Sequence, residues 1–387
     1  LKTLIIEFQT SGHYPEYLKH VLKKINKDHK SEDFIIFLTP LLIPHLKNLK
    51  NTEIYKSIHF FEESLGKTYS HFKSTKHMAD FIYQQIIKVN KQFQFDHVLF
   101  LNLNLILRHY SILNPFLKLP FTFSGIIFNS PYRFREQNTK RLTIFKRELY
   151  LRLLLFSKNC TRVFLLNDRK GVNFYREWSS KIEFINDPVR ITSPSKLDIY
   201  NYHTIKPSAL TFLQIGKLDA YKGTLDIIDA FSNLDAAYAE KVHLLLIGKV
   251  NRDTDLTTAK VHQLKEQNRI SIRNDFVPDD DFSAYMQQSD VVLITNKNVE
   301  NSSGIVNHCL ANNKVVIAPD KGFYKEAFKG YKGIVNYNDS FSLKHAIIHA
   351  INTIDKLKIE AQHFDSKAFI KANSAHKFSE TLLKHLN

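Results

Sequence analysis

Two doubly wound α/β domains, each a parallel sheet covered by helices on both faces, are the fold that the sequence predicts. Three observations lead there. Short runs of Val, Ile, Leu and Phe recur along the whole chain with helical patterns between them, as parallel strands buried on both faces require. The 387 residues leave room for two domains of about 150–200 residues each. Between the halves, Asn186–Ser208 loses periodicity and carries three prolines, as an interdomain linker does.

The elements follow in order. Thr3–Phe8 is a first strand, its apolar run too short for a secretory core. Pro15–Lys27 has helical spacing, Phe34–Leu38 is a strand and Thr75–Gln92 a second helix. Strands His97–Leu101, Phe121–Phe128, Val163–Leu166 and Ile182–Ile185 complete the first half. The second half repeats the habit with Leu210–Gly216, Val242–Gly248, Ile270–Arg273, Val291–Thr295, Val315–Ala318 and Gly333–Val335. The expected division is therefore a first domain over 1–190, a linker over 191–208 and a second domain over 209–364. Residues 365–387 hold a final helix, about Asp365–Leu386, expected to pack back on the first domain.

Composition narrows the function. Two cysteines, Cys160 and Cys309, cannot build a disulfide framework, which points to a reducing, cytoplasmic setting. No stretch reaches the roughly 18 apolar residues of a membrane span. The net charge of +16 is spread along the chain without a basic tail or an RNA-binding signature, so no nucleic-acid partner is expected. Phosphorylated substrates or anionic lipid fit that charge at least as well.

Two segments carry the chemistry. In "ENSSGIVNHCLANNKVVIAP", Glu300–Pro319, an acid, two serines and a glycine precede Ile305, Val306, Cys309 and Leu310 at helical spacing. Ser302, Ser303 and Gly304 then stand at a helix N-terminus, where open amides and the helix dipole favour an anion; taken alone, the turn also reads as an ordinary serine N-cap. In "FLQIGKLDAYKGTLDIIDAF", a strand ends at Gly216, Lys217 follows, and Lys222–Gly223 leads into a helix. Two lysines at a strand end and a helix start can clamp a diphosphate.

Together these stretches resemble the retaining nucleotide-sugar glycosyltransferases of family 4, which have the GT-B fold: two doubly wound Rossmann-like domains facing across a cleft. That family reads G-R-x-x-x-x-K-G where this chain has "GKLDAYKG", with Lys217 in place of the arginine and Lys222 matching the lysine. Its E-x7-E is matched at Glu300, while the second position is His308. "FINDPV" (Phe184–Val189), "VPDDDFSAYMQQSDVVL" and "SGHYPEYLKHVL" are similar to further family segments. The resemblance implies transfer of a sugar from a nucleotide diphosphate sugar to an acceptor hydroxyl of a glycan or lipid-linked saccharide, with retention and without a metal or other cofactor. It implies that Gly216, Lys217, Lys222, Ser302, Ser303 and Gly304 bind the donor and that Glu300 grips the sugar. His308 stands where the family's second glutamate holds the ribose; a histidine can bond a ribose, but not as a two-oxygen carboxylate does. In the first domain, Gly12 permits close backbone approach to substrate. His13 is placed either to orient an acceptor hydroxyl or the transferred sugar, or merely to cap the following helix. Asn129 stands where related enzymes often carry a histidine.

Other signals count against alternatives. Asp279 and Asp281 form a D-x-D just ahead of "FSAYM", where first-turn acids of a helix account for them. The scattered histidines lack H-E-x-x-H or paired-cysteine spacing, and no G-x-G-x-x-G follows a strand. A nucleotide-sugar epimerase of the same architecture and a sugar-binding protein without catalysis are the competing readings.

One helix lies outside this scheme. In "KRLTIFKRELYLRLLLFSKN", Lys140–Asn159, the residues Leu142, Phe145, Leu149, Leu153 and Phe156 share one face at helical spacing, expected to pack on the sheet. Ile144, Leu151 and Leu155 form a second stripe flanked by Lys140, Arg147 and Lys158. A soluble helix needs only one apolar stripe. The second is expected either to dock on an anionic membrane surface, which would place the protein peripherally at the inner face, or to be buried against a neighbouring helix.

Overall fold

A computed structural model of the chain describes residues 1–10, 13–28, 30–61, 74–107, 119–135, 140–189, 191–251, 254–300 and 303–386. The chain divides into two compact units, Leu1–Pro188 with Asn373–Asn387, and Val189–Ala372.

The first unit is built on a seven-stranded sheet of order β3-β2-β1-β4-β5-β6-β7, all parallel. Its strands are β1 (Thr3–Glu7), β2 (Phe34–Leu38), β3 (Ile58–Phe60), β4 (His97–Phe100), β5 (Thr122–Ile127), β6 (Cys160–Leu166) and β7 (Ile182–Ile185). The six strands expected in this half are present. The seventh, β3, is three residues long and sits at the sheet edge, too short to show a period. Along β1, Leu4 and Ile6 enter one core while Ile5 enters the other, so each face of the sheet owns a hydrophobic layer.

Helices Thr75–Phe93 and Arg141–Phe156 cover one face, and Tyr14–Asp28 covers the other. Helix Arg141–Phe156 lies the opposite way round from the expected one. Leu151, Leu154 and Leu155 are buried in the core, whereas Leu142, Phe145, Leu149 and Phe156 are exposed. The orientation is set by Glu148 as well, buried and paired with Arg135, whose Nη2 donates to Oε2 at 2.8 Å.

The single final helix expected is two. Ser366–Ala372 stays in the second unit, with Phe369 against Phe364. After Ser374, whose hydroxyl caps the Lys377 amide, Ala375–Leu383 crosses to the first unit. There Phe378 packs 4.8 Å from the Tyr17 ring, and Lys384 and His385 contact Glu183 at 3.1 and 2.9 Å.

The second unit holds a six-stranded parallel sheet of order β10-β9-β8-β11-β12-β13. The strands are β8 (Leu210–Ile215), β9 (Val242–Ile247), β10 (Ile270–Arg273), β11 (Val291–Leu293), β12 (Val315–Pro319) and β13 (Ile334–Tyr337). Residues 191–208, expected as a linker, are part of this unit: Ser195 bonds Asp281 at 2.7 Å, and Ile199–Tyr202 forms a short helix. Among the described residues no helix is long and apolar enough to cross a membrane.

Both sheets reverse strand order once, between β1 and β4 and between β8 and β11. At such a switch point the loops leaving adjacent strands part to opposite faces and open a crevice beyond the strand ends, where ligands bind in open α/β sheets.

Candidate active site

The second switch point gathers most of the donor residues expected from sequence. Beyond β8 come Gly216 and Lys217, then a turn closed by the Lys222 amide on Asp219 Oδ1 at 2.7 Å. Asp219 is buried and its other oxygen meets Lys217 Nζ at 3.1 Å. Gly223 ends the turn at φ +71°, and a Cβ there would collide with the carbonyl oxygen of Thr295, just past β11. Only glycine lets the two loops touch here. Thr295 Oγ1 then donates to the Lys222 carbonyl at 2.6 Å, and Gln214 Nε2 donates to the same oxygen at 3.0 Å.

The Lys222 ammonium is pushed down from its ordinary pKa chiefly by burial; the Asp219 carboxylate opposes this and the neighbouring Lys217 charge adds to it. Two amines therefore share one carboxylate at the mouth of the crevice, a setting that gains from an incoming anion.

The loop after β11 ends at Glu300, which is buried. Its amide donates to Asn298 Oδ1 at 3.0 Å. Gly322, at φ +52°, passes so close that a Cβ would lie 2.6 Å from Glu300 Oε1. Ser303 is the N-cap residue of helix Gly304–Ala311, and its side chain makes no capping bond to the helix amides. The ordinary serine cap is thus not what this residue provides. His308 lies on the same helix, half-buried, with its ring edge-on to Phe282 at 4.7 Å. Ser302 lies outside the described residues, as does Gly12 in the first unit.

The D-x-D acids are all in the first turn of helix Asp279–Gln288, and Asp281 is held by Arg273 Nη1 at 2.8 Å as well as by Ser195. Among the described residues no group of three or more His, Cys, Asp and Glu is placed to hold a metal ion.

The first switch point supplies groups that sequence reasoning missed. Glu7, at the end of β1, is 2% exposed. Its Oε1 accepts the amides of Phe8 and Gln9 at 2.8 and 2.7 Å, while Oε2 has no partner among the described residues. Burial pushes its pKa up to about 7, against the pull of those two amides. Past β4, Asn102 donates to Gln9 Oε1 at 2.8 Å and to the Tyr14 hydroxyl at 3.0 Å. The polar residues of "LNLNL" directly after a buried strand were the available signal.

Beside this network lies a cavity of about 590 Å³ whose walls include Tyr14, Asn102, Asn104, Asn129 and Arg147. Asn129, an expected acceptor-side residue, does line it. His13 is exposed at the start of helix Tyr14–Asp28, its ring 6.0 Å from that of Tyr17. Tyr17 in turn donates to buried Asp187 at 2.5 Å, whose carboxyl is raised by burial and lowered in part by the His13 charge.

Two doubly wound units, the second with a basic turn at its switch point, define the GT-B fold of glycosyltransferases. Residues 198–369, nearly all of the second unit, match the family model described as glycosyl transferases group 1. Among solved structures, HepE of Anabaena, in complex with UDP, is similar at a TM-score of 0.69 and 14% identity, over 100% of this chain and 99% of that one. Sucrose-phosphate synthase from Thermosynechococcus elongatus is similar at 0.69 and 11% identity, over 99% and 98%. WaaG, a glycosyltransferase involved in lipopolysaccharide biosynthesis, is similar at 0.66 and 12% identity, over 98% and 99%. At these identities the likeness is one of fold. A comparison with curated proteins found no match.

Proposed function

We propose that the protein transfers a sugar from a nucleotide diphosphate sugar to an acceptor hydroxyl, with retention of anomeric configuration and without a divalent cation. The observation that carries this reading is the seam at the second switch point. Thr295 and Gln214 fix the Lys222 backbone, Asp219 fixes Lys217, and the turn that carries both lysines is bonded through Tyr221 to the loop that leads to Glu300.

In this reading Lys217 and Lys222 neutralise the diphosphate as the bond from its oxygen to the anomeric carbon breaks, where preorganised charge lowers the barrier most. Ser303, with Ser302 and the Gly304 amide, adds donors to the same phosphates. Glu300 accepts from the sugar hydroxyls, and His308 offers a ring nitrogen to the ribose. On the acceptor side, the Asn129 cavity receives the acceptor and His13 orients its hydroxyl. HepE has been solved with UDP-glucose, which makes a uridine diphosphate sugar the first donor to try.

The test is calorimetric titration of the full chain with UDP-, GDP- and ADP-sugars, followed by NMR of the anomeric proton in the product. Binding of one donor and an unchanged anomeric configuration are expected. Binding of none, an inverted product, or activity lost in EDTA and restored by magnesium or manganese would overturn the corresponding part.

A further inference from the structure

Helix Arg141–Phe156 leaves an apolar stripe in solvent. Leu142, Phe145, Leu149 and Phe156 are 63%, 61%, 40% and 77% exposed. At about 100° per residue they fall within a strip about 60° wide, with half-buried Leu153 on its border. The opposite side is committed to the core through Leu151, Leu154 and Leu155. Four large apolar side chains on one exposed helix face exceed the scattered single residues that a soluble surface normally carries.

The exposed charges that the helix itself places beside the stripe are of one sign. Arg141 and Arg152 border it on one side and Lys146 on the other, and all three are exposed. Arg152 keeps its position by stacking its guanidinium 3.6 Å over the Trp178 ring. The one acid of the helix, Glu148, is buried and neutralised by Arg135, so it subtracts nothing from the outward field. An exposed apolar strip flanked on its own helix by cations matches the boundary between anionic headgroups and acyl chains. The whole chain adds a net charge of +16.

We infer that this helix docks the first unit on an anionic membrane surface through Leu142, Phe145, Leu149 and Phe156, with Arg141, Lys146 and Arg152 against the headgroups. This is the face opposite to the one that sequence periodicity assigned to lipid. The same helix also contributes Thr143, Lys146, Arg147 and Tyr150 to the cavity beside Asn129. Docking therefore brings a wall of that cavity to the lipid surface. The inference stands on the helix alone and does not depend on which donor or acceptor is used.

The experiment is co-sedimentation of the full chain with vesicles of phosphatidylcholine alone and of phosphatidylcholine mixed with phosphatidylglycerol, at low and high salt. Binding is expected only with the anionic lipid and is expected to fade with salt. Phe145→Glu should lower the partition coefficient about tenfold or more, since it removes an aromatic ring that docking buries in the lipid. Lys146→Gln should lower it about fivefold, the share of one surface cation. Phe276→Glu, at an 83% exposed phenylalanine of the second unit, serves as the control and should leave binding unchanged. Indifference to anionic vesicles, equal binding to neutral ones, or full binding by Phe145→Glu would each overturn the inference. So would a lipid-free oligomer that Phe145→Glu dissociates, because the stripe would then be an interface between copies of the chain.

Discussion

Glu7 makes the stability of the first unit depend on pH in a direction opposite to most carboxylates. Its pKa is held at about 7 rather than the ordinary 4.5 because the end of β1 is sealed from water. The folded state therefore binds this proton more tightly than the unfolded chain. The stability tied to it is complete below pH 4.5, declines as pH rises from there, and is fully lost above about 7. At about 1.4 kcal/mol for each unit of displacement, ionising Glu7 in the folded protein costs about 3 kcal/mol.

The perturbation is Glu7→Gln, which keeps an oxygen for the Phe8 and Gln9 amides and removes the charge. Its new amide group replaces Oε2, which has no partner among the described residues, and so carries a burial cost of its own. That cost does not vary with pH, so the comparison is differential: urea unfolding of the first unit, wild type against variant, between pH 5 and 8. The variant should gain on the wild type by about 3 kcal/mol across that range. Other titrating groups are common to both proteins and cancel. A difference that stays flat with pH would refute the reasoning.

Three further outcomes are expected. Lys222→Ala should weaken nucleotide diphosphate binding by about 1–3 kcal/mol, as loss of a charge-assisted bond does, and unchanged affinity in calorimetry would remove Lys222 from the site. Glu300→Gln should reduce transfer far more than affinity for the free nucleotide; equal losses would assign Glu300 a purely structural role beside Gly322. His97, His203 and His243 are each held by burial at about 4. Because the unfolded chain takes up their protons first, stability should fall as pH drops from 6.5 towards 4, and a urea midpoint independent of pH there would contradict their burial as neutral rings.

How much of this was legible in the sequence depended on the range of the cause. Strands such as Leu4–Ile6 and Leu244–Ile247 are buried on both faces, so an unbroken apolar run announces them locally. The turn at Lys217–Gly223 and the position of Ser303 ahead of helix Gly304–Ala311 were legible for a related reason. Their chemistry is written in a few adjacent residues at strand ends, and the resemblance to a known family rests on those residues. What periodicity could not decide was which side of helix 141–156 faces inward, because both sides carry apolar residues at helical spacing. The answer came from partners distant in sequence: Arg135 drawing Glu148 inward, and the β6 side of the sheet accepting Leu151, Leu154 and Leu155. Glu7 was invisible for the same reason, since an acid closing a strand looks solvated until Gln9 and the neighbouring elements cover it. The sequence by itself determined the strands other than the short edge strand β3, the two-domain plan and the basic turn, which are properties of neighbouring residues. Only the tertiary structure decided burial, because burial is the sum of contacts that the chain makes with itself across long separations.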